Sequence, residues 1–260
     1  MLSKIYSVIK TYVKLSVEYF GYEIKKKSLQ PKFRVVEADV PYKEREEYGA
    51  SCLETKLENL KQGLPFECAD IVNLNHAVAL LIEDEKRIVE LGSGTGKFAR
   101  EASLDASRFV LASEFDAPTY RWCLDNVPPK ENLQFINGRV DCHSARFDLS
   151  VSIEVVEHIK DYCSFLMEMS HLAPRSLITT PNRKRGKSFF HNGPPNYFKH
   201  VREWTAGEFY WVLRSFWNDV RLYGLTSQID PTFIKVDVDT TLSPLIADCR
   251  LPITGPFSLK

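Results

Sequence analysis

Glu154, Glu157 and His158 lie in the stretch "EVVEHI", at spacings of i, i+3 and i+4. On a helix, positions so spaced share one face. Two carboxylates and an imidazole would then point the same way. Such a set has two chemical uses. His158 can take the proton of a hydroxyl as a general base. Alternatively the three groups can hold a divalent cation such as magnesium or manganese. His200, in "KHVREWTAGEF", is a further candidate, and a structural reading competes there. "TAGE" is a helix capping box, with Thr205 as the N-cap and Glu208 at the third helical position, and this accounts for much of "REWT" without chemistry.

A second set lies upstream in "RIVELGSGTGKFAREA", Arg87 to Ala102, where Gly92, Gly94 and Gly96 separate an apolar run from a helix-like one. A dinucleotide-binding turn would need another glycine at position 97, which is Lys97, and no GK[ST] follows to make a P-loop. Glu114, in "VLASEFDAP", falls at the end of the next strand. An acid there can accept hydrogen bonds from both vicinal hydroxyls of a ribose. Asp116, two residues on, is the alternative.

The elements that must position these groups alternate. "RIVEL", "RFVLASEF", "NLQFING", "FDLSVSIEV" and "RSLITTP" have strand character. "GKFAREAS", "PTYRWCLDNV", "DYCSFLMEMSHL" and "TAGEFYWVLRSF" have helical character. This alternation predicts an α/β fold, a mostly parallel sheet with helices on both faces. "DVRLYGLTS" and "TFIKVDV", with no helix between them, predict an antiparallel edge hairpin. The expected organisation is a helical N-terminal extension or cap over residues 1–80, a catalytic domain over 81–240, and a C-terminal tail over 241–260.

Taken together, "VELGSGTG", "SEFD", "FDLSVSIEVVEHIKD" and "TTPNR" resemble the class I S-adenosylmethionine-dependent methyltransferases over about residues 85 to 235. Within that family the sequence looks like the branch that includes ubiquinone-biosynthesis O-methyltransferases and many small-molecule and glycan methyltransferases. The resemblance implies a Rossmann-like sheet of seven strands with the cofactor across the carboxyl ends of the first ones. It implies that Glu90, Gly92, Ser93, Gly94 and Gly96 surround the methionine part of S-adenosylmethionine and that Glu114 holds the ribose. Glu154 belongs to the expected cofactor set as well. The family often has an acid near the adenine after the third strand. Here that position is Arg139, leaving Asp141 or the backbone of Val140 to serve. Small-RNA 2'-O-methyltransferases carry a similar ExxEH motif and a later histidine that bind a metal together, which implies the same role for Glu154, Glu157, His158 and His200.

The expected function is methyl transfer to a hydroxyl of a small molecule, glycan or lipid-linked precursor. The alternatives are a metal-dependent RNA 2'-O-methyltransferase and, from another class, an inactive cofactor-binding partner subunit. Methylation of exocyclic base amines is disfavoured, because its [DNS]PP[YF] motif is replaced by "IEVVEH" and "GPPNY" comes about 40 residues too late.

With 34 basic and 34 acidic residues the net formal charge is zero, so any attraction to nucleic acid or an anionic membrane must be local. One basic stretch fits: Arg183, Lys184, Arg185 and Lys187, with Lys199 and Arg202 beyond, interleaved with Phe189, Phe190, Tyr197 and Phe198. It is either a solvated loop or a clamp for phosphate or carboxylate on the substrate. Cys52, Cys68, Cys123, Cys142, Cys163 and Cys249 show no CxxC spacing, which fits reduced thiols in a cytoplasmic protein. At the N-terminus, Ile5, Val8, Ile9, Tyr12, Val13, Val17 and Phe20 recur at helical spacing, broken by Lys4, Lys10 and Lys14. This predicts a helix that caps the domain or lies on a membrane surface, and not a signal peptide.

Overall fold

The computed structural model describes residues 35–36, 53, 56–62, 69–142, 146–184, 195, 199–225 and 233–253. The N-terminal amphipathic stretch and the central part of the basic loop, including Arg185, Lys187, Phe189, Phe190, Tyr197 and Phe198, lie outside the described residues.

Strand β1 (Val35–Val36) pairs antiparallel with the short β5 (Arg139–Val140). The main sheet has eight strands in the order β4-β3-β2-β6-β7-β10-β8-β9. These are β2 (Arg87–Leu91), β3 (Phe109–Glu114), β4 (Leu133–Asn137), β6 (Leu149–Ser152), β7 (Arg175–Thr180), β8 (Trp217–Leu225), β9 (Phe233–Lys235) and β10 (Leu245–Pro252). Strands β4, β3, β2, β6 and β7 are mutually parallel. The remaining pairings are antiparallel.

The parallel strands are largely buried because helices cover both faces. Helices α1 (Ala69–Leu80), α2 (Lys97–Ala102) and α3 (Ala117–Asn126) lie on one side, where Leu74, Val78, Phe98, Cys123 and Ile88 pack together. Helices α4 (Tyr162–Leu172) and α5 (Ala206–Arg214) lie on the other, with Leu166, Met169, Phe209 and the fully buried Trp204 and Trp217. The alternating α/β reading holds. So does the antiparallel hairpin at the sheet edge, formed by β8 and β9.

Two expectations are corrected. The sheet has eight strands rather than seven. Residues 241–260 are not simply a tail, since β10 is wedged between β7 and β8 and pairs with both. Asp248 hides this strand in the sequence, because an acid argues against a strand buried on both faces. In the fold Asp248 is buried and satisfied, accepting from Arg175 Nε at 2.8 Å. Arg175 also meets Glu85 at 2.6 Å, which ties the approach to β2 onto β7 and β10.

The strand order reverses at β2, which has β3 on one side and β6 on the other. In open α/β sheets a crevice forms at the carboxyl ends of such neighbours. Among the described residues, no helix is long and apolar enough to cross a membrane.

Candidate active site

The crevice has two ends. At the first, the turn after β2 carries Gly92, Gly94 and Gly96, all with positive φ (75°, 52° and 69°). The turn is pinned where Gly92 and Ser93 donate their N–H groups to Ser113 O at 2.9 and 3.0 Å. A Cβ on Gly92 would stand 2.7 Å from Val155 Cγ2, so the loops after β2 and β6 touch there. A Cβ on Gly94 would meet nothing within 4 Å. The glycine at 94 therefore borders open space, as a backbone that must admit a ligand closely would.

Glu114 ends β3 and reaches this turn. Its Oε2 accepts from Gly94 N at 2.7 Å and its Oε1 from Asp116 N at 2.9 Å. Burial raises its pKa to about 7, against the pull of those two amides. Glu90, at the end of β2, is 2% exposed, and its Oε2 has no hydrogen-bond partner. Burial, then the nearby Glu114, push its carboxyl well above the usual range. Ser93 Oγ is likewise buried without a partner. Asp116, the alternative to Glu114, is occupied as the N-cap of α3, accepting from Thr119 N at 2.8 Å. Beyond β4, Arg139 turns toward α4 and pairs with Glu168 at 3.6 Å, while Asp141 sits half-buried just after β5.

At the second end, "EVVEHI" leaves β6. It does not form the helix that would align Glu154, Glu157 and His158 on one face. Glu154 has φ +54°, and a single 3-10 turn covers Val156–His158. Its amide donates to Thr179 Oγ1 and its Oε1 accepts from the same hydroxyl, both at 3.0 Å. Glu157 is wholly buried. One oxygen accepts from Thr180 Oγ1 at 3.3 Å, and the other, Oε1, has no hydrogen-bond partner. Burial, then Glu154, raise its pKa well above the normal value. The Glu157 carbonyl accepts from Val201 and Arg202 N–H at 2.8 and 3.1 Å, which brings the distant 199–203 segment back to this turn.

That segment delivers His200. The rings of His158 and His200 meet edge to face, with centroids 4.8 Å apart. Nδ1 of His158 lies 3.2 Å from Lys199 O, and a carbonyl can only accept, so this nitrogen carries the proton and Nε2 keeps its lone pair. Nδ1 of His200 lies 2.6 Å from Oε1 of Glu203, a carboxylate sealed from solvent. An imidazole so anchored through Nδ1 offers Nε2 to the site, as metal-bound histidines do. One ligand atom from each of Glu157, His158 and His200 falls within 4.8 Å of the others. Glu154, the fourth ligand expected from sequence, is not part of that set. Burial lowers the pKa of His158 to about 4, so its ring is neutral near pH 7.

Three participants escaped the sequence reading. Glu203 was hidden by the capping box beside it, which is present in full between Thr205 and Glu208. Its signal was the i+3 spacing from His200. Thr180 gave no signal. Lys56, from the helical stretch at 56–61, donates to Thr95 Oγ1 at 3.1 Å and so touches the glycine turn from the N-terminal side. Of the described basic-loop residues, Lys184 pairs with Asp239 at 3.5 Å, and Arg202 lies over Tyr162 and Trp204.

Among solved structures, the methyltransferase domain of bacterial CtHen1 is 19% identical, with 71% of this chain and 100% of that chain covered and a TM-score of 0.52. The putative methyltransferase in complex with the Trm112 methyltransferase activator of Haloferax volcanii is 14% identical (80% and 97% covered, TM-score 0.55). The N-terminal domain of EvdMO1 with SAH bound is 12% identical (70% and 81% covered, TM-score 0.50). At these identities the likeness is one of fold. No curated protein matches the sequence. Residues 64–216, more than half of the chain, match the family described as "Methyltransferase domain". The chain belongs to that family and is an S-adenosylmethionine-dependent methyltransferase.

Proposed function

We propose that the chain methylates a hydroxyl oxygen of a small molecule, glycan or lipid-linked precursor by in-line displacement. S-adenosylmethionine, when bound, supplies the electrophilic methyl carbon. The residues at the first end fit it. The open space beside Gly94 admits the methionine part, and Ser93 Oγ and Glu90 Oε2 are buried polar atoms left over for its amino acid groups. Both Glu114 oxygens accept backbone amides, and a carboxylate has acceptor capacity beyond these for a ribose hydroxyl. Asp141 is assigned to the adenine side. The buried carboxylates of Glu90 and Glu114 also suit a cationic cofactor, because a positive charge nearby favours their ionised form.

The observation that carries the hydroxyl assignment is the convergence of Glu157, His158 and His200. With a pKa near 4, His158 alone is too weak a base to match a hydroxyl at neutral pH. Its neutral ring does suit a divalent cation, and so does the unpartnered Oε1 of Glu157. Glu157, His158 and His200 would hold magnesium or manganese, with Glu154 adjoining, and the ion would ease loss of the hydroxyl proton. The protein's own part is to orient the acceptor oxygen and to keep both imidazoles fixed by Lys199 O and Glu203.

The same three ligands favour a second reading. A terminal ribose offers a 2'-hydroxyl beside a 3'-hydroxyl, as RNA 2'-O-methylation requires. Zero net charge counts against it, and RNA binding at low salt separates the two readings.

The test is methyl transfer from labelled cofactor to a panel of hydroxyl acceptors, with His158→Ala and His200→Ala made separately and chelator added in parallel. Loss in both variants supports the proposal. Undiminished turnover in both would refute it.

A further inference from the structure

Arg183 follows β7 in the "TTPNR" run, at the carboxyl end of the sheet where the crevice lies. Its backbone is fixed. Asn182 and Trp204 form a parallel bridge, and Arg183 N–H donates to Trp204 O at 2.9 Å. Trp204 adjoins Glu203 and stands four residues from His200, at most about 13 Å were the backbone fully extended.

The Arg183 side chain is unlike the other arginines. Its Nε and Nη2 are both buried and both lack a hydrogen-bond partner. Among the described residues, no other side chain has two such orphaned atoms. Arg175 shows a satisfied buried guanidinium, taking Asp248 at 2.8 Å and Glu85 at 2.6 Å, and Arg108, whose Nε alone is buried without a hydrogen bond, still has Asp105 at 3.4 Å as a counter-charge. The neighbouring cations are spoken for, Lys184 by Asp239 and Arg202 by the Tyr162 and Trp204 rings.

A guanidinium is permanently charged and can only donate. Buried charged donors without acceptors are costly and rare in native structures, and an anionic ligand is one partner that completes them. A neutral carbonyl would take a hydrogen bond but leave the charge uncompensated. The planar fork matches two anionic oxygens at once.

We infer that Arg183 binds a carboxylate or phosphate group carried by the acceptor substrate. This rests on the methyl-transfer reading and narrows it: the acceptor is an anion whose charged group lies within one small molecule's span of the hydroxyl at His200.

The test uses the full chain saturated with SAH. Inorganic phosphate and acetate are titrated separately, with chloride at matched ionic strength as the control, and arginine Nε–Hε resonances are followed by NMR. Wild type should show one saturable shift, lost or weakened at least about tenfold in Arg183→Gln. A response to phosphate alone assigns a phosphorylated acceptor, and to acetate alone a carboxylated one. Arg183→Lys, which keeps the charge without the fork, serves in its place if the glutamine variant no longer binds SAH. A shift reproduced by chloride, no saturable shift, or equal binding by the variant overturns the inference. The SAH titration separates the failures. If SAH binds both proteins and neither anion does, only the Arg183 assignment falls. If SAH binds neither, the methyl-transfer reading falls and takes the inference with it.

Discussion

Glu114 and Glu203 are both carboxylates that grip a neighbour at one end of the crevice, but they are recruited differently. Glu114 holds the Gly94 amide of the turn that leaves the adjacent strand and the Asp116 amide of its own loop, so this end is built from two consecutive β-α units. Glu203 holds an imidazole three residues away, and the 199–203 segment is tied back by two backbone hydrogen bonds to the Glu157 carbonyl and by the contacts of Lys199 O and His200 with His158. The first end is a local consequence of strand, turn and helix. The second is assembled across more than forty residues and depends on each tether. Changes at the two ends should therefore separate cleanly, since sites without shared partners act independently.

The largest effect is expected at the second end. His200→Ala should abolish manganese binding measured by calorimetry, and Glu203→Gln should weaken it about 10- to 100-fold, as loss of an anchoring carboxylate typically does. Both should leave SAH affinity within about twofold. A matching loss of SAH affinity would show that the two ends are one cooperative unit.

A smaller effect, at the first end, depends on pH. The pKa of Glu114 is raised to about 7 by burial, so in the free protein its carboxyl loses its proton as pH rises through that value. The sulfonium cofactor favours the ionised form, so its affinity should climb through about pH 7 and level off above. Glu114→Gln should flatten that profile and lower the plateau, with manganese binding unchanged. The sign for folding is opposite. A raised carboxyl pKa stabilises the fold below the unfolded value, and that contribution is lost as pH rises through the folded one. Thermal stability of the cofactor-free glutamine variant should therefore fall less than that of wild type as pH rises from 4.5 to about 7, whatever its absolute level. A cofactor affinity indifferent to pH between 6 and 8 would remove Glu114 from the ribose role.

The smallest effect tests the boundary between chemistry and scaffold. Thr205→Ala removes the cap of α5 and should cost about 1 kcal/mol in denaturant unfolding. Manganese and SAH binding should stay intact, because the capping box lies beside the His200–Glu203 pair without being part of it.

The same contrast explains what was legible in the sequence. The glycine turn, Glu114 and the alternating elements all follow from short-range pattern, and the structure places them together. Glu157, His158 and His200 could be nominated by residue type, but their geometry could not be derived. The helical spacing suggested one face for Glu154, Glu157 and His158, yet Glu154 takes a left-handed backbone and the helical face never forms. Glu203 was missed because a valid local explanation, the capping box, already covered its neighbourhood. Strand β10 was missed because burial of Asp248 depends on Arg175, a partner 73 residues away, as well as on Arg250 beside it. Long-range charge pairing leaves no periodic trace in sequence.

In the proposed geometry a methyl donor at the glycine turn faces a hydroxyl held at Glu157, His158 and His200. A crystal structure with SAH and manganese tests this directly. The predicted result is anomalous density bound by Glu157, His158 Nε2 and His200 Nε2, with the thioether sulfur of SAH directed toward it. SAH bound with its sulfur turned away from the histidine pair, or manganese density elsewhere and none between these ligands, would contradict it.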